Sequence, residues 1–228
     1  MTAASFEPAP DDPAIWDAYN LLLAGPDTER LRKLLLRYDH FCRTVELPGD
    51  IVEAGVLKGT GLLFWAKLLQ IRCPGTLKRV VGFDLFGGFE RAAAPADRGA
   101  VRALLDEAGG EETTPGELLE KVRAAGLPAE RCELVAGDIR ETAARYLQER
   151  PGFRISLMNL DLDLGAPTRA ALELLWPRVV RGGVVLLDEY AIGRWSASEG
   201  IDAWLRGNDL RLHSIPWGRS PTAYLIKP

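Results

Sequence analysis

The chain alternates short apolar runs with helical stretches, and this rhythm limits the fold more than any other feature of the sequence. The apolar runs lie at residues 50–56, 79–84, 133–136, 155–162 and 183–187, and the pattern predicts helices at 61–71, in two pieces within 98–126, and at 142–148, 167–176 and 198–205. The runs are rich in Val, Ile and Leu and do not alternate cleanly with polar residues, which is typical of parallel strands covered by helices on both faces. The sequence therefore predicts an α/β fold with a doubly wound sheet.

Two further apolar runs, 210–215 and 223–226, lie near the C-terminus and are joined by Pro-Trp-Gly-Arg-Ser-Pro. This connection leaves no room for a crossover helix, so the two runs must form an antiparallel hairpin. We therefore expect one reversed strand at the end of the sheet.

The N-terminal region has a different pattern. Its first dozen residues are rich in Pro, Ala and Asp, which is typical of a loose tail. From Asp12 to about Leu47 the pattern is helical, with apolar residues at three- and four-residue spacing and basic residues between them, until Pro48 and Gly49 stop it. We predict a tail and helical arm at 1–47 and a single domain at 48–228.

The segment at about 90–126 is long for a simple crossover between strands. Thr113, Thr114 and Pro115 form an N-terminal capping signal for a helix that carries Leu118 and Val122. We interpret this segment as a helical insertion at the strand tips, where it could act as a lid.

Composition and charge exclude several classes of protein. The chain is 47% hydrophobic and 26% charged, as is typical of soluble globular domains. Its net charge of -4 lacks the excess of positive charge that is typical of proteins that bind nucleic acid or an anionic membrane. No apolar run approaches the roughly 20 residues of a membrane span, and the first residues lack the pattern of a secretory signal. The three cysteines form no Cys-x-x-Cys pair, which argues against a disulfide framework or a zinc site.

We expect a cytoplasmic homo-oligomer that acts on a small molecule, with no nucleic-acid or membrane partner.

Candidate ligand-binding residues follow the ends of the first three runs. The end of the first run overlaps a glycine-rich segment, Glu-Ala-Gly-Val-Leu-Lys-Gly-Thr-Gly at 53–61. This segment is either a ligand-binding loop or a plain tight turn. The second ends in Asp84, which is placed to accept hydrogen bonds from ribose hydroxyls. The third ends in Asp138, which is either a ligand contact or the N-cap of the next helix.

Four carboxylates follow the fourth and fifth runs. Asp161 and Asp163 lie two residues apart, and Asp188 and Glu189 are adjacent. Such crowding is tolerable if some acids are protonated, point apart or share a cation; capping and solvated loop acids are the alternative. An all-carboxylate set suits Mg²⁺, Mn²⁺ or Ca²⁺.

Five motifs in this order resemble those of a known family. They are Pro-Gly-Asp-Ile-Val-Glu-Ala-Gly-Val at 48–56, Val-Gly-Phe-Asp-Leu-Phe-Gly-Gly-Phe at 81–89, Gly-Asp-Ile-Arg-Glu-Thr at 137–142, Leu-Asp-Leu-Asp-Leu at 160–164 and Gly-Gly-Val-Val-Leu-Leu-Asp-Glu-Tyr at 182–190. From about Leu47 to the C-terminus the chain resembles the class I S-adenosylmethionine-dependent methyltransferases, and within them the macrocin/novobiocin-type sugar O-methyltransferases. The resemblance implies a Rossmann-like, seven-stranded sheet whose last strand is antiparallel.

The resemblance also implies a set of site residues. The cofactor-binding residues that it implies are Glu53, Gly55, Lys58, Gly59, Thr60, Asp84, Asp138, Ile139 and Asp161. It implies a divalent cation, usually Mg²⁺, held by Asp161, Asp188 and Glu189, with Asp163 in the place of the general base. Glu189 stands where many members have Asp. Gly165 stands where many members have Tyr, and the missing aromatic ring predicts a gap or a roomier site.

The reaction that this resemblance implies is the S-adenosylmethionine-dependent and Mg²⁺-dependent methylation of a hydroxyl on a sugar or polyhydroxylated natural-product intermediate. Two alternatives stay open: a metal-independent N- or O-methyltransferase of another small molecule, and a catalytically silent cofactor-binding scaffold. Side chains of the two loops after the fifth and sixth strands could wall the acceptor pocket. These are Tyr190, Arg194, Trp195, Trp217 and Arg219; surface packing of the two loops is the alternative for each of them.

Overall fold

The computed structural model describes residues 13–109 and 113–228, so the tail predicted for the first dozen residues lies outside the described part of the chain. The strands are β1 Asp50–Ala54, β2 Val80–Asp84, β3 Cys132–Ala136, β4 Ile155–Leu160, β5 Val179–Leu187, β6 His213–Ser214 and β7 Ala223–Ile226. The helices are α1 Pro13–Ala24, α2 Glu29–Thr44, α3 Thr60–Arg72, α4 Phe89–Ala92, α5 Arg98–Glu107, α6 Pro115–Ala124, α7 Ile139–Glu149, α8 Gly165–Leu175 and α9 Ala197–Leu205. Apart from the short α4, each helix falls within or overlaps a segment predicted to be helical.

The strands form one seven-stranded sheet in the order β3-β2-β1-β4-β5-β7-β6. Strands β1 to β5 pair in parallel, whereas β7 runs antiparallel to both β5 and β6. This confirms the predicted Rossmann-like α/β sheet with a reversed last strand. The strand order reverses between β1 and β4, and ligands of such sheets bind beyond the strand ends at this point.

Both faces of the sheet are buried, as the unbroken apolar runs predict. Strand β4 is buried along its whole length, and alternate residues serve opposite faces. Met158 packs in the apolar layer under α7, α8 and α9, and Leu157 packs in the layer under α2, α3 and α6. These two layers hold the ends of the central strands in a fixed relation to one another.

The N-terminal arm consists of two helices separated by Gly25 and Pro26. Helix α2 packs against β4, β5 and α3 and buries Leu36 and Phe41, so it belongs to the helical layer of the domain. Helix α1 has no buried residue, and Trp16 is 60% exposed. The predicted homo-oligomer stays a prediction.

The predicted lid segment divides into two parts. Thr114 caps α6 in a reciprocal capping box with Glu117, as the sequence signal predicts. Helix α6 buries Leu118 and Val122 in the layer that covers the sheet, so it is a crossover helix. Helices α4 and α5 instead contribute to a separate small cluster, and they are the part of the segment that remains a candidate lid.

The gap expected at Gly165 is not present. A Cβ atom at Gly165 would lie 2.7 Å from the carbonyl oxygen of Ser196, and one at Gly200 would overlap the carbonyl oxygen of Gly165. The two glycines therefore let α8 and α9 approach with bare backbones, and the backbone of α9 fills the space that a side chain would take.

We predict that Gly200→Ala destabilises the protein by about 1–3 kcal/mol, because the added methyl group forces α8 and α9 apart. Urea unfolding measures the change. Gly116→Ala in α6 is the matched control, since a Cβ there meets nothing within 4 Å. If both variants are as stable as wild type, the close α8–α9 crossing is contradicted.

Candidate functional site

The turn after β1 is shaped by two glycines with positive φ angles, Gly55 at 92° and Gly59 at 87°. A Cβ atom at Gly55 would overlap the carbonyl oxygen of Asp161, so this glycine lets the turn lie against the end of β4. The carboxylate of Asp84 accepts hydrogen bonds from the backbone N–H groups of Val56 and Leu57, at 2.6 and 2.9 Å. Asp84 therefore organises the turn; its ribose contact stays a prediction.

Three of the predicted cofactor residues meet in one cavity of about 280 Å³, lined by Asp84, Asp138 and Ile139 at the ends of β2 and β3. The wall opposite includes Leu162 and Leu164 from the loop after β4. Asp138 also caps α7, since the N–H of Arg140 donates to its carboxylate at 2.9 Å. The capping interpretation of Asp138 is therefore confirmed, and the same residue lines the cavity.

The remaining residues of the glycine-rich turn have different surroundings. Glu53 is 2% exposed, accepts a hydrogen bond from the indole N–H of Trp65 and pairs with Arg37 at 3.4 Å. Burial raises the pKa of Glu53 to about 7. Lys58 is half-buried and Thr60 is exposed at the start of α3. Their contacts to a methionine group stay predictions.

Three acids come close enough to share one ion. Asp161, Asp163 and Glu189 each offer a carboxylate oxygen, and these oxygens all lie within 4.8 Å of one another. Two of them belong to the predicted metal set, and Asp163, the predicted base, is the third. Among the described residues this is the group with metal-ligand geometry. We call these three residues and Asp188 the acid cluster.

The fourth acid, Asp188, is fully buried behind this group. Its Oδ2 accepts hydrogen bonds from Lys33 Nζ at 2.6 Å and from Ser220 Oγ at 2.5 Å. Its Oδ1 has no hydrogen-bond partner among the described residues. A buried carboxylate oxygen without a donor is costly, and an all-oxygen donor set beside it is suited to a hard divalent cation. The acid cluster therefore fits Mg²⁺.

Two basic residues of α2 reach the acid cluster, and the sequence analysis did not assign them to the site. Lys33 Nζ lies 3.0 Å from Asp161 Oδ2, and Arg37 Nη2 lies 3.2 Å from the same oxygen. The sequence did contain one indication of this role. Lys33, Arg37 and His40 lie at i, i+4 and i+7, so they share the helix face that α2 buries.

The acid cluster has strongly perturbed proton affinities. Burial, followed by the charge of Asp188, raises the pKa of Asp161 to about 6 and that of Glu189 to about 8. Burial and the charge of Asp161 also raise the pKa of Asp163. Burial opposes the ionised form of Asp188 too, but the charges of Lys33 and Arg37 hold the pKa of Asp188 below its usual range. Asp188 is thus the ionised acid of the cluster, whereas Asp161 and Glu189 can exchange protons near neutral pH.

The predicted acceptor-binding residues mostly have structural contacts. Tyr190 donates a hydrogen bond to Asp202 at 2.9 Å. Arg194 pairs with Glu107 of α5 at 3.2 Å, and Trp195 is buried in the cluster formed with α4 and α5. For these three residues the contacts match the packing alternative. Arg219 is 74% exposed and pairs with Glu29 of α2 at 3.6 Å, so its side chain lies on the surface beside the arm. Trp217, two residues earlier in the same loop, is 48% exposed.

Comparison with known proteins gives one matching family model. The model of the macrocin O-methyltransferase (TylF) family matches residues 24–206. A curated relative from Streptomyces olivaceus, the 8-demethyl-8-(2,3-dimethoxy-alpha-L-rhamnosyl)-tetracenomycin-C 4'-O-methyltransferase, is 34% identical over 150 residues. That match covers 64% of this chain and 54% of the relative, so the chain spans about half the length of the curated relative it matches.

Two solved structures share the fold. The apo structure of CalS11, a TDP-rhamnose 3'-O-methyltransferase of calicheamicin biosynthesis, is 30% identical with a TM-score of 0.69, and the match covers 97% of this chain and 88% of CalS11. The O-methyltransferase NovP is 21% identical with a TM-score of 0.72, covering 95% of this chain and 99% of NovP. The likeness to NovP shows the fold alone.

We predict that the metal-free protein loses stability between about pH 4.5 and pH 8 because of Glu189. Its pKa rises from 4.5 to about 8 on folding, so the folded state binds more protons than the unfolded state in this window. The contribution of protonated Glu189 to the free energy of unfolding is therefore complete below pH 4.5, and it is lost as the pH rises through about 8. The stability of wild type relative to Glu189→Gln should therefore fall as pH rises.

Urea unfolding in buffers containing EDTA measures this difference at each pH. Glu199→Gln, the same substitution at an exposed position of α9, supplies the baseline. A difference between wild type and Glu189→Gln that stays constant across the window would contradict the raised pKa of Glu189.

Proposed function

The chain belongs to the macrocin O-methyltransferase (TylF) family, and on that premise we propose that it methylates a hydroxyl of a sugar or polyhydroxylated natural-product intermediate. The methyl donor is S-adenosylmethionine, and Mg²⁺ assists the reaction. The observation that carries this proposal is the segment 161–164. Its two leucines line the cavity, and its two aspartates belong to the acid cluster, so one short loop adjoins both the cavity and the acid cluster.

The cavity would hold the nucleoside part of the cofactor. Oδ1 of Asp84 accepts a hydrogen bond from the N–H of Phe86 at 2.8 Å, and its second lone pair would accept one from a ribose hydroxyl. Ile139 offers an apolar surface at the start of α7 for the adenine. Gly55, Gly59 and the buried Glu53 would face the methionine part. When bound, the cofactor supplies an electrophilic methyl group, and Mg²⁺ supplies positive charge that lowers the pKa of an acceptor hydroxyl.

Asp163 is the residue that we propose as the general base. Its backbone lies in the left-handed region with a φ of 60°, and the N–H of Leu164 donates to the carbonyl of Leu162 across it at 2.6 Å. The N–H of Ala197, at the start of α9, donates a hydrogen bond to the carbonyl oxygen of Asp163 at 3.0 Å. Helix α9 therefore helps to hold this strained conformation of Asp163. A carboxylate oxygen of Asp163 lies within 4.8 Å of oxygens of Asp161 and Glu189, so Asp163 would take the proton of an acceptor hydroxyl bound beside the acid cluster.

One observation favours a second candidate function, methylation without a metal. The ammonium of Lys33 lies between Asp161 and Asp188 and already supplies positive charge to two of the proposed ligands. In that case the carboxylates would bind the cofactor and a polar substrate. Sensitivity of turnover to EDTA separates the two functions, and cofactor binding without any turnover would leave only a silent scaffold.

We further propose a cytoplasmic homo-oligomer that works on a small molecule without nucleic acid or membrane. Support for association comes from α1, whose Trp16, Tyr19 and Leu23 are each more than half exposed. No helix in the described ranges has the length and apolar character needed to cross a membrane. Light scattering of the purified protein measures its state of association.

The direct test of the reaction uses S-adenosylmethionine, Mg²⁺ and candidate acceptors, beginning with TDP-rhamnose, the sugar on which CalS11 acts. Mass spectrometry should detect an acceptor that gains one methyl group. We expect EDTA to abolish turnover and added Mg²⁺ to restore it. Full turnover in EDTA would reject the metal-assisted reaction in favour of the metal-free one.

We predict that Asp163→Asn lowers kcat by about 10²–10⁴-fold, since the amide keeps the size of the carboxylate but cannot take the proton. Cofactor affinity, measured by calorimetry, should be unchanged. Asp209→Asn, at an exposed position beyond α9, is the matched control and should keep full activity. Wild-type kcat in Asp163→Asn, under conditions where chemistry is rate-limiting, would remove Asp163 from the role of base.

A further inference from the structure

We propose that Lys33 competes with the divalent cation for the acid cluster, so that binding of the cation displaces the lysine and releases this contact of the N-terminal arm. The inference rests on the proposed function, because it takes the acid cluster to be a cation site. It adds a role for α2 in controlling access of the cation to that site.

The position of the ammonium group carries the inference. Lys33 Nζ lies 2.6 Å from Asp188 Oδ2 and 3.0 Å from Asp161 Oδ2, so it neutralises one carboxylate, that of Asp161, which belongs to the three-acid group with metal-ligand spacing. Both acids are also in the set that the sequence predicts as metal ligands. A divalent cation held by Asp161 would lie within a few ångströms of this ammonium, and the two positive charges would repel each other strongly in a buried site.

Lys33 can leave this position, whereas Arg37 cannot. The Arg37 side chain is 4% exposed, pairs with Glu53 as well as Asp161, and lies beside the ring of Trp65. The Lys33 side chain is 23% exposed, and among the described residues its ion pairs are with the two aspartates. Its four-carbon stem can swing the ammonium into solvent without moving α2. The structure thus has one fixed and one removable positive charge at the acid cluster.

Displacement of Lys33 would loosen the contact between α2 and the loop that joins β6 to β7. Among the described residues, Ser220 of this loop shares Asp188 Oδ2 with Lys33, and Arg219 pairs with Glu29 at 3.6 Å. Once Lys33 is released, the exposed Arg219–Glu29 pair remains, and such pairs are weak. Cation binding would therefore weaken the link between α2, which stays in place, and the loop that carries Trp217 and Arg219, the residues that we predict for the acceptor.

The test is calorimetric titration of EDTA-treated protein with Mn²⁺, for wild type and for Lys33→Met. Removal of the competing charge should tighten Mn²⁺ binding by about tenfold or more. Arg30→Met is the matched control, because it removes one positive charge from an exposed position of the same helix, and its affinity should equal that of wild type. Equal or weaker Mn²⁺ binding by Lys33→Met overturns the inference.

A second measurement uses the wild-type protein and does not depend on the folding of a variant. Acetylation of lysines by an N-hydroxysuccinimide ester, followed by mass spectrometry, reports how free each amine is. Mn²⁺ should raise the acetylation rate of Lys33 severalfold and leave that of Lys67, an exposed residue of α3, unchanged. Bound Mn²⁺ with no change at Lys33 overturns the inference alone. Absence of Mn²⁺ binding in every variant overturns the inference together with the metal-assisted function.

Discussion

The balance of charge at the ends of β4 and β5 is the constraint on which the site depends. Four carboxylates converge there; Lys33 and Arg37 both pair with Asp161, and Lys33 also pairs with Asp188. Without these charges the fully buried Asp188 would be an unpaired ion, which is costly. The same requirement explains why α2 belongs to the domain: its basic residues neutralise the acid cluster while Leu36 and Phe41 of its buried face pack on the sheet.

The fold brings the cavity at the ends of β2 and β3 and the acid cluster together through the backbone of one turn and one loop. The sheet reverses its strand order between β1 and β4, and Gly55 lets the turn after β1 touch the backbone of Asp161. From there the loop after β4 alternates, so that Leu162 and Leu164 line the cavity while Asp161 and Asp163 face Glu189. A bound methyl donor and an activated hydroxyl would then meet across a single loop. Such positioning is what a one-step transfer of a methyl group requires of a protein.

Features encoded locally could be predicted from the sequence, whereas features that depend on distant contacts could not. The strands, the reversed β7 and the cap at Thr114 follow from nearby residues, as does the placement of four acids at the tips of neighbouring strands. The role of Lys33 depends on Asp161 and Asp188, which lie 128 and 155 residues away. Its spacing from Arg37 and His40 places Lys33 near the buried face of α2, but it does not tell which side chains Lys33 contacts. The gap expected at Gly165 was wrong for the same reason, because only the crossing of α8 and α9 shows that the backbone near Gly200 fills it.

The proposed binding of a divalent cation by these carboxylates, beside the cavity, has a direct crystallographic test. It is the anomalous difference map of a crystal of the protein soaked with Mn²⁺ and S-adenosylhomocysteine, the demethylated product of the cofactor. If the proposal is right, the map has a single strong peak within coordination distance of Asp161 and Glu189, with the nucleoside in the cavity lined by Asp84 and Ile139. A map with the nucleoside bound and no Mn²⁺ peak at the acid cluster would contradict it.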